Sequence, residues 1–302
     1  MGISVRRQRL DIRCDRATHR LGDSSLPDRY EAIAPAGEGA FCEIWQIRDR
    51  QTGELHALKR LSEHRQQDNT AQQLLRNEVH VAQEVKSPHV VKVVGSNFEC
   101  RRPYAILEWI EGSTLEEQLR AWGRFETAHA VWMARQCAQG LHDLAAAGFT
   151  HGDLKPANII LSPQGEVKLI DLGFAQPLGT CTDSYGHAVM LGTAEYMAPE
   201  AIVGRNEIAG AKDIYSLGVV LFRALTGRLP FPSDSTKEVL RLQREARPPI
   251  LRRWCPTAPR ELAALVGRML AKHPIRRPAN SRELVRDLID IEIGCLPARC
   301  VD

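Results

Sequence analysis

No stretch of the chain approaches the run of about 20 apolar residues that a membrane helix needs. The longest candidate, Leu217–Phe222, is six residues long and stops at Arg223. The opening residues, MGISVRRQRLDIRC, carry no apolar stretch behind their arginines, so they do not read as a secretory signal. Eight cysteines are present, but none stands in C-x-x-C spacing, and the closest pair, Cys295 and Cys300, has no histidine beside it. A cysteine-held metal or a disulfide framework is therefore not expected. Internal repeats and low-complexity segments are also lacking. These absences describe an intracellular, cytoplasmic chain without a membrane span.

What is present is ordinary globular composition: 302 residues, 43% hydrophobic and 25% charged. Lys plus Arg total 40 against 37 Asp plus Glu, a formal net charge of +3. The excess is local. Residues 1–29 hold seven arginines (Arg6, Arg7, Arg9, Arg13, Arg16, Arg20, Arg29) against four aspartates, and the remainder is balanced at 33 against 33. That arm has no aromatic residue on which a base could stack, so it reads as a solvated tail and no nucleic-acid partner is expected.

Behind the tail two textures follow one another. Residues 30–110 are strand-rich, with Ile44, Trp45 and Ile47 before a turn at Thr52-Gly53, then Leu55–Leu58, Val90–Val94 and Tyr104–Leu107. One helix interrupts them between about Ala71 and Val85, with Leu75, Val79 and Ala82 on one stripe. After Gly112 the pattern is helical: Val131, Ala134, Ala138, Leu141 and Ala145 share a face before Gly148, and further helices are expected near 213–226, 259–271 and 281–291. The expected architecture is α+β, a small sheet-rich lobe and a larger helical lobe with a ligand cleft between them.

Three groups of residues carry chemistry. Gly37-Glu38-Gly39-Ala40-Phe41-Cys42-Glu43-Ile44 places a glycine pair on a turn between strands, where backbone N–H groups can approach a polyphosphate. Lys59 ends an apolar strand, and Glu78, on the interrupting helix, can fix its flexible stem. Then comes His151-Gly152-Asp153-Leu154-Lys155-Pro156-Ala157-Asn158, followed by a short strand and Asp171-Leu172-Gly173. This sets a base, an amide oxygen and a carboxylate on adjacent loops, the oxygen chemistry preferred by magnesium.

In their order these motifs resemble the protein kinase family over residues 30–291. The resemblance implies a bilobal kinase fold, with an N-lobe at about 30–110 holding one main helix, a helical C-lobe at about 111–291, and a short tail at 292–302. It implies ATP and magnesium, with manganese as a substitute, and transfer of the γ-phosphoryl group to serine or threonine of protein substrates, with autophosphorylation. By the same resemblance the glycine loop covers the phosphates, Lys59 contacts them and pairs with Glu78, Asp153 receives the hydroxyl proton, Lys155 steadies the γ phosphate, and Asn158 and Asp171 hold the metal. The adenine is expected between Ile44 and Ala57 on one side and Ile160 on the other, with backbone contacts at Glu108 and Ile110. Ala198-Pro199-Glu200, Gly192-Thr193 and Asp213–Gly218 fit the family's later segments, and Arg277 is the expected partner of Glu200.

Two positions depart from the family pattern. Cys42 stands at the third glycine of the loop, as a thiol either exposed near the nucleotide or packed down and inert. Gly152 stands where an arginine commonly pairs with a phosphorylated activation loop, so activity is expected without such phosphorylation; Thr180, Thr182, Ser184 and Thr193 are the candidate acceptors. His-Gly-Asp also occurs in small-molecule phosphotransferases of the aminoglycoside-kinase type, which is one rival. A nucleotide-binding pseudokinase scaffold is another, and the presence of Lys59, Asp153, Asn158 and Asp171 speaks against it.

Overall fold

The computed structural model describes residues 26–179, 194–204, 208 and 210–295. The candidate phosphoacceptors Thr180, Thr182, Ser184 and Thr193, together with Gly192, lie outside them, as do the arginines of the basic arm other than Arg29.

Five strands, β1 (Tyr30–Glu38), β2 (Cys42–Asp49), β3 (Leu55–Leu61), β4 (Val93–Asn97) and β5 (Tyr104–Glu108), form an antiparallel sheet in the order β1-β2-β3-β5-β4. Strand alternation separates its two faces. Trp45, Ile47, Leu58, Tyr104 and Ile106 pack together on one; Cys42, Leu61, Ala105 and Leu107 pack on the other against Ala71, Leu75 and Val79 of helix α1 (Asn69–Glu84). Asp68 caps α1, its carboxylate accepting from the N–H groups of Thr70 and Ala71 at 3.0 and 3.1 Å. At the sheet's edge Arg29, counted with the arm, donates to the buried Asp49 at 2.7 Å.

The expected strand at Val90–Val94 begins instead at Val93. Val90 and Val91 are engaged elsewhere: Val91 N–H donates to the Leu169 carbonyl at 3.0 Å, and Leu169 N–H to the His89 carbonyl at 2.8 Å. These main-chain bonds tie the segment after α1 to the C-lobe, where the Val90 side chain also packs, while that of Val91 packs in the N-lobe core.

The C-lobe is built on α3 (Thr127–Ala146) and α5 (Ala211–Thr226), whose apolar residues form one continuous core with α7 (Arg260–Met269) and α8 (Ser281–Cys295). Two short hairpin strands, β8 (Ile159–Leu161) and β9 (Val167–Leu169), join β6 (Ser113–Thr114) in a three-stranded sheet at the lobe boundary, and β7 (Phe149–Thr150) pairs with β10 (Gln176–Pro177). Three further helices, α2 (Leu115–Trp122), α4 (Pro199–Ile202) and α6 (Thr236–Glu245), were not individually expected. The helix expected to end at 291 runs on to Cys295. This is the α+β, two-lobed arrangement anticipated, with the functional motifs on the loops and strand ends where the lobes meet.

Candidate active site

The glycine loop is the β1–β2 hairpin, closed by a hydrogen bond from Gly39 N–H to the Cys42 carbonyl at 2.8 Å. A Cβ at Gly37 would meet nothing within 4 Å, so the loop leaves room on its surface for a ligand. Phe41, at its tip, lies 5.6 Å from the Arg65 guanidinium. Cys42 settles into the N-lobe core beside Leu61, Ala71 and Leu75, and burial pushes its thiol up to about 12. Of its two alternatives, the packed placement is the one the structure shows.

Ile44, Ala57 and Lys59 share one face of the sheet, since β2 and β3 pair Ile44 with Lys59 and Gln46 with Ala57. Lys59 Nζ lies 2.6 Å from Glu78 and 2.9 Å from Asp171, a single cation between two carboxylates. Burial works against charge at Lys59, yet Asp171 and Glu78 together raise its pKa. Burial raises Glu78, which Lys59 only partly offsets; at Asp171 burial is outweighed by the neighbouring Lys59 and Lys155, which hold the carboxyl below its ordinary value. Glu78 is 2% exposed and Asp171 37%, so only the second is open to a ligand. Asp171 is the one non-glycine among the described residues with a positive φ, 65°. Such a left-handed residue costs about 1–2 kcal/mol. Asn77 of α1 fastens the segment just after it, donating to the carbonyls of Gly173 and Ala175 at 2.9 and 2.8 Å.

The second cluster is on the catalytic-type loop. Asp153 Oδ2 accepts from Lys155 Nζ at 2.6 Å and from Asn158 Nδ2 at 3.1 Å, and Asn158 Nδ2 also donates to the Asp153 carbonyl at 2.8 Å. Asp153 Oδ1 is buried with no hydrogen-bond partner among the described residues. Buried carboxylate oxygens are rarely left so, and the exceptions mark function or strain. The loop itself hangs from α5: Asp213, 4% exposed, accepts the N–H groups of His151 and Gly152 at 2.8 and 3.0 Å. Gly152 sits at φ 82°, and a Cβ there would fall 2.2 Å from the Phe174 carbonyl oxygen. The departure from arginine at this position therefore has a backbone reason in this chain.

The remaining site positions take their places around these clusters. Ile160 is half-buried on β8, and Ile110 packs against the N-lobe core. Glu108 ends β5 with its carboxylate on Lys168 Nζ at 2.7 Å and on the Lys92 N–H at 2.9 Å. Farther along, Glu200 and Arg277 form the expected pair, a buried bidentate contact at 2.5 and 2.8 Å. Sequence reasoning missed Asp213 as the anchor of the loop, Asn77, Lys168, and a network in which Arg223 donates to Glu116 at 2.6 and 2.9 Å and to the Tyr196 hydroxyl at 2.6 Å. A charged residue within an apolar helix, as at Asp213 and Arg223, was the available signal.

The protein kinase domain family model matches residues 30–288. The chain belongs to that family. Among curated proteins it is similar to the serine/threonine-protein kinase PrkC of Bacillus subtilis (strain 168), 29% identical over 264 residues, which are 87% of this chain and 40% of that protein. It is similar also to the serine/threonine-protein kinase PknA of Mycobacterium tuberculosis (strain H37Rv), 30% identical over 280 residues, 91% of this chain and 64% of that one. The chain thus spans well under two thirds of the first protein and a little under two thirds of the second. Among the described residues no helix is long and apolar enough to cross a membrane.

Proposed function

We propose that the chain transfers the γ-phosphoryl group of ATP to serine or threonine hydroxyls of protein substrates, as its kinase-named relatives suggest, and that it does so in the cytoplasm. The observation that carries this reading is Asp153, whose Oδ2 is held by Lys155 and Asn158 at the meeting of the lobes, next to the Lys59–Glu78–Asp171 cluster that the same motif order brings there. The Asp153 carboxylate, set by these contacts, is the group to orient the incoming hydroxyl and take its proton as the new O–P bond forms and the bond to the ADP oxygen breaks.

The donor set fits magnesium. Both donor hydrogens of Asn158 counted above point at Asp153, leaving its amide oxygen with no donor among the described residues, and the second oxygen of the partly open Asp171 is likewise unengaged. These are the hard oxygen ligands that magnesium takes, usually together with water and phosphate. When bound, the ion would neutralise charge on the phosphates. Lys59, fixed by Glu78, would meet the α and β phosphates, and Lys155 the γ phosphate. The Glu200–Arg277 pair and the short helical turn at Ala194–Tyr196 support a protein substrate, because they build the segment on which a peptide lies.

The test is transfer of labelled γ phosphate from magnesium ATP to a generic basic protein and to the chain itself, beside Lys59→Met and Asp153→Asn. Label on serine or threonine that vanishes in both variants is expected. Transfer confined to small alcohols or sugars, or undiminished in Asp153→Asn, would refute the proposal.

A further inference from the structure

Away from the cleft, the far end of α5 carries an exposed surface that the reaction does not use. Trp122 is 66% exposed and Trp254 46%, and the Arg228 guanidinium stacks on Trp254 at 4.7 Å. The two tryptophans belong to one surface. Trp122 meets Phe125 edge-on, Phe125 N–H donates to the Ala224 carbonyl at 2.8 Å, and a Cβ on Gly227, beside Arg228, would lie 2.9 Å from the Gly123 carbonyl.

The surface is strongly cationic. Residues 246–260 contain Arg247, Arg252, Arg253 and Arg260 with no Asp or Glu. Arg124, Arg228, Arg252 and Arg253 are all exposed. Whereas Arg223, Arg241 and Arg268 each close on a glutamate, none of these four has a carboxylate partner among the described residues. Beside them Trp122, Phe125, Trp132 and Leu161, with Arg124, His129 and one carboxylate, Glu126, line a mostly apolar cavity of about 430 Å³. Unpaired guanidinium groups select carboxylates, exposed tryptophans supply apolar contact area, and a cavity of this size accepts an aliphatic side chain.

We propose that this face docks an acidic, leucine-bearing segment of the protein substrate, remote from the phosphoacceptor; the inference rests on the protein-kinase reading above. A polypeptide fits better than a nucleic acid, because residues 30–302, this surface included, balance 33 basic against 33 acidic side chains, where a phosphate backbone selects a broad cationic track. Position also favours it. The helix that anchors the catalytic-type loop through Asp213 ends at this surface 14 residues later, about 21 Å at 1.5 Å per residue. An extended peptide covers that distance in about seven residues. Acidic side chains that distance from the acceptor would pair with the arginines while the acceptor lies at Asp153.

The experiment uses the full chain and three peptides with the same serine core, one short and two extended. Each extended peptide carries an added eight-residue Gly/Ser spacer and a stretch alternating glutamate with leucine, on one side of the core in the first and on the other side in the second. The expected result is a KM about tenfold lower for one of the extended peptides with kcat unchanged, an advantage lost in Arg228→Ala/Arg252→Ala/Arg253→Ala and reduced in Trp254→Ala. Both variants should phosphorylate the short peptide at the wild-type rate, which separates failure of docking from failure of the kinase reading. Equal KM values for all peptides would overturn the proposal. So would an advantage that survives the triple substitution, one matched by single-stranded DNA competing as well as the acidic stretch, or a dimer that forms through this face and dissociates in the triple variant.

Discussion

Asp213→Asn tests whether the catalytic-type loop is held in place from α5. The carboxylate accepts two main-chain N–H groups, from His151 at 2.8 Å and Gly152 at 3.0 Å, in a nearly sealed position. Asparagine preserves the volume but keeps one acceptor and turns an NH2 toward the other N–H. A hydrogen bond to a charged group contributes about 1.5–3 kcal/mol, and a buried donor left unmet costs about 1–3 kcal/mol. The combined loss is about 3–5 kcal/mol, within the 5–15 kcal/mol typical of a folded domain, so the variant folds but melts lower. At about 2–4 °C per kcal/mol for a chain of this size, Tm falls by about 6–20 °C. The N–H pair also sets where Asp153 stands, and misplacement by about 1 Å costs about a hundredfold in rate. Calorimetry and steady-state kinetics on one preparation therefore show a lowered Tm and a kcat reduced about a hundredfold, with KM for ATP changed less than about threefold because Lys59 and the glycine loop are untouched. A Tm within a degree of wild type and an unaltered kcat would refute the reasoning.

Other outcomes follow from the same contacts. Cys42, packed in the N-lobe core with its thiol raised to about 12, resists iodoacetamide at pH 8 both with and without ATP; rapid alkylation that ATP blocks would show it exposed. Arg29 first, then the N–H groups of Gln51 and Thr52, lower the buried Asp49 to about 2. Because its folded value lies below the ordinary one, its contribution is complete above about pH 4 and is lost as the pH falls toward 2, so the Tm advantage over Asp49→Asn should shrink across that window and hold steady between pH 5 and 8. Protein made without any phosphate on residues 180–193 should be active, since Gly152 carries no arginine to receive one; activity appearing only after loop phosphorylation would contradict this.

Local patterns made much of the site legible. Glycines at 37 and 39, Lys59 on a strand, Glu78 on an apolar helical stripe and the carboxylate–amide spacing of Asp153 and Asn158 are all visible along the chain, and the structure brings them to one cleft. What was not legible joins residues far apart in sequence. Asp213 meets a loop 62 residues away and Arg223 a glutamate 107 away, with no periodicity to announce either. Helix α6 escaped notice for a different reason: only Val239 and Gln243 are buried in its ten residues, too few to mark a face. At Val90 the composition was right for a strand, but β9 claimed the backbone first.

Gly152 ties these observations together. An arginine there would serve to hold the activation segment through a loop phosphate, yet at φ 82° any Cβ runs into the Phe174 carbonyl at 2.2 Å. The chain instead brings Phe174 hard against the loop and secures its neighbours by main-chain contacts: Asn77 to the carbonyls on either side of Phe174, Asp213 to the two N–H groups ahead of Asp153, and β10 to β7. With these in place the Lys59–Glu78 pair is already closed, Asp171 already faces Lys59, and Glu200 already grips Arg277. Among the described residues these positions are thus held by hydrogen bonds to backbone groups and by ion pairs.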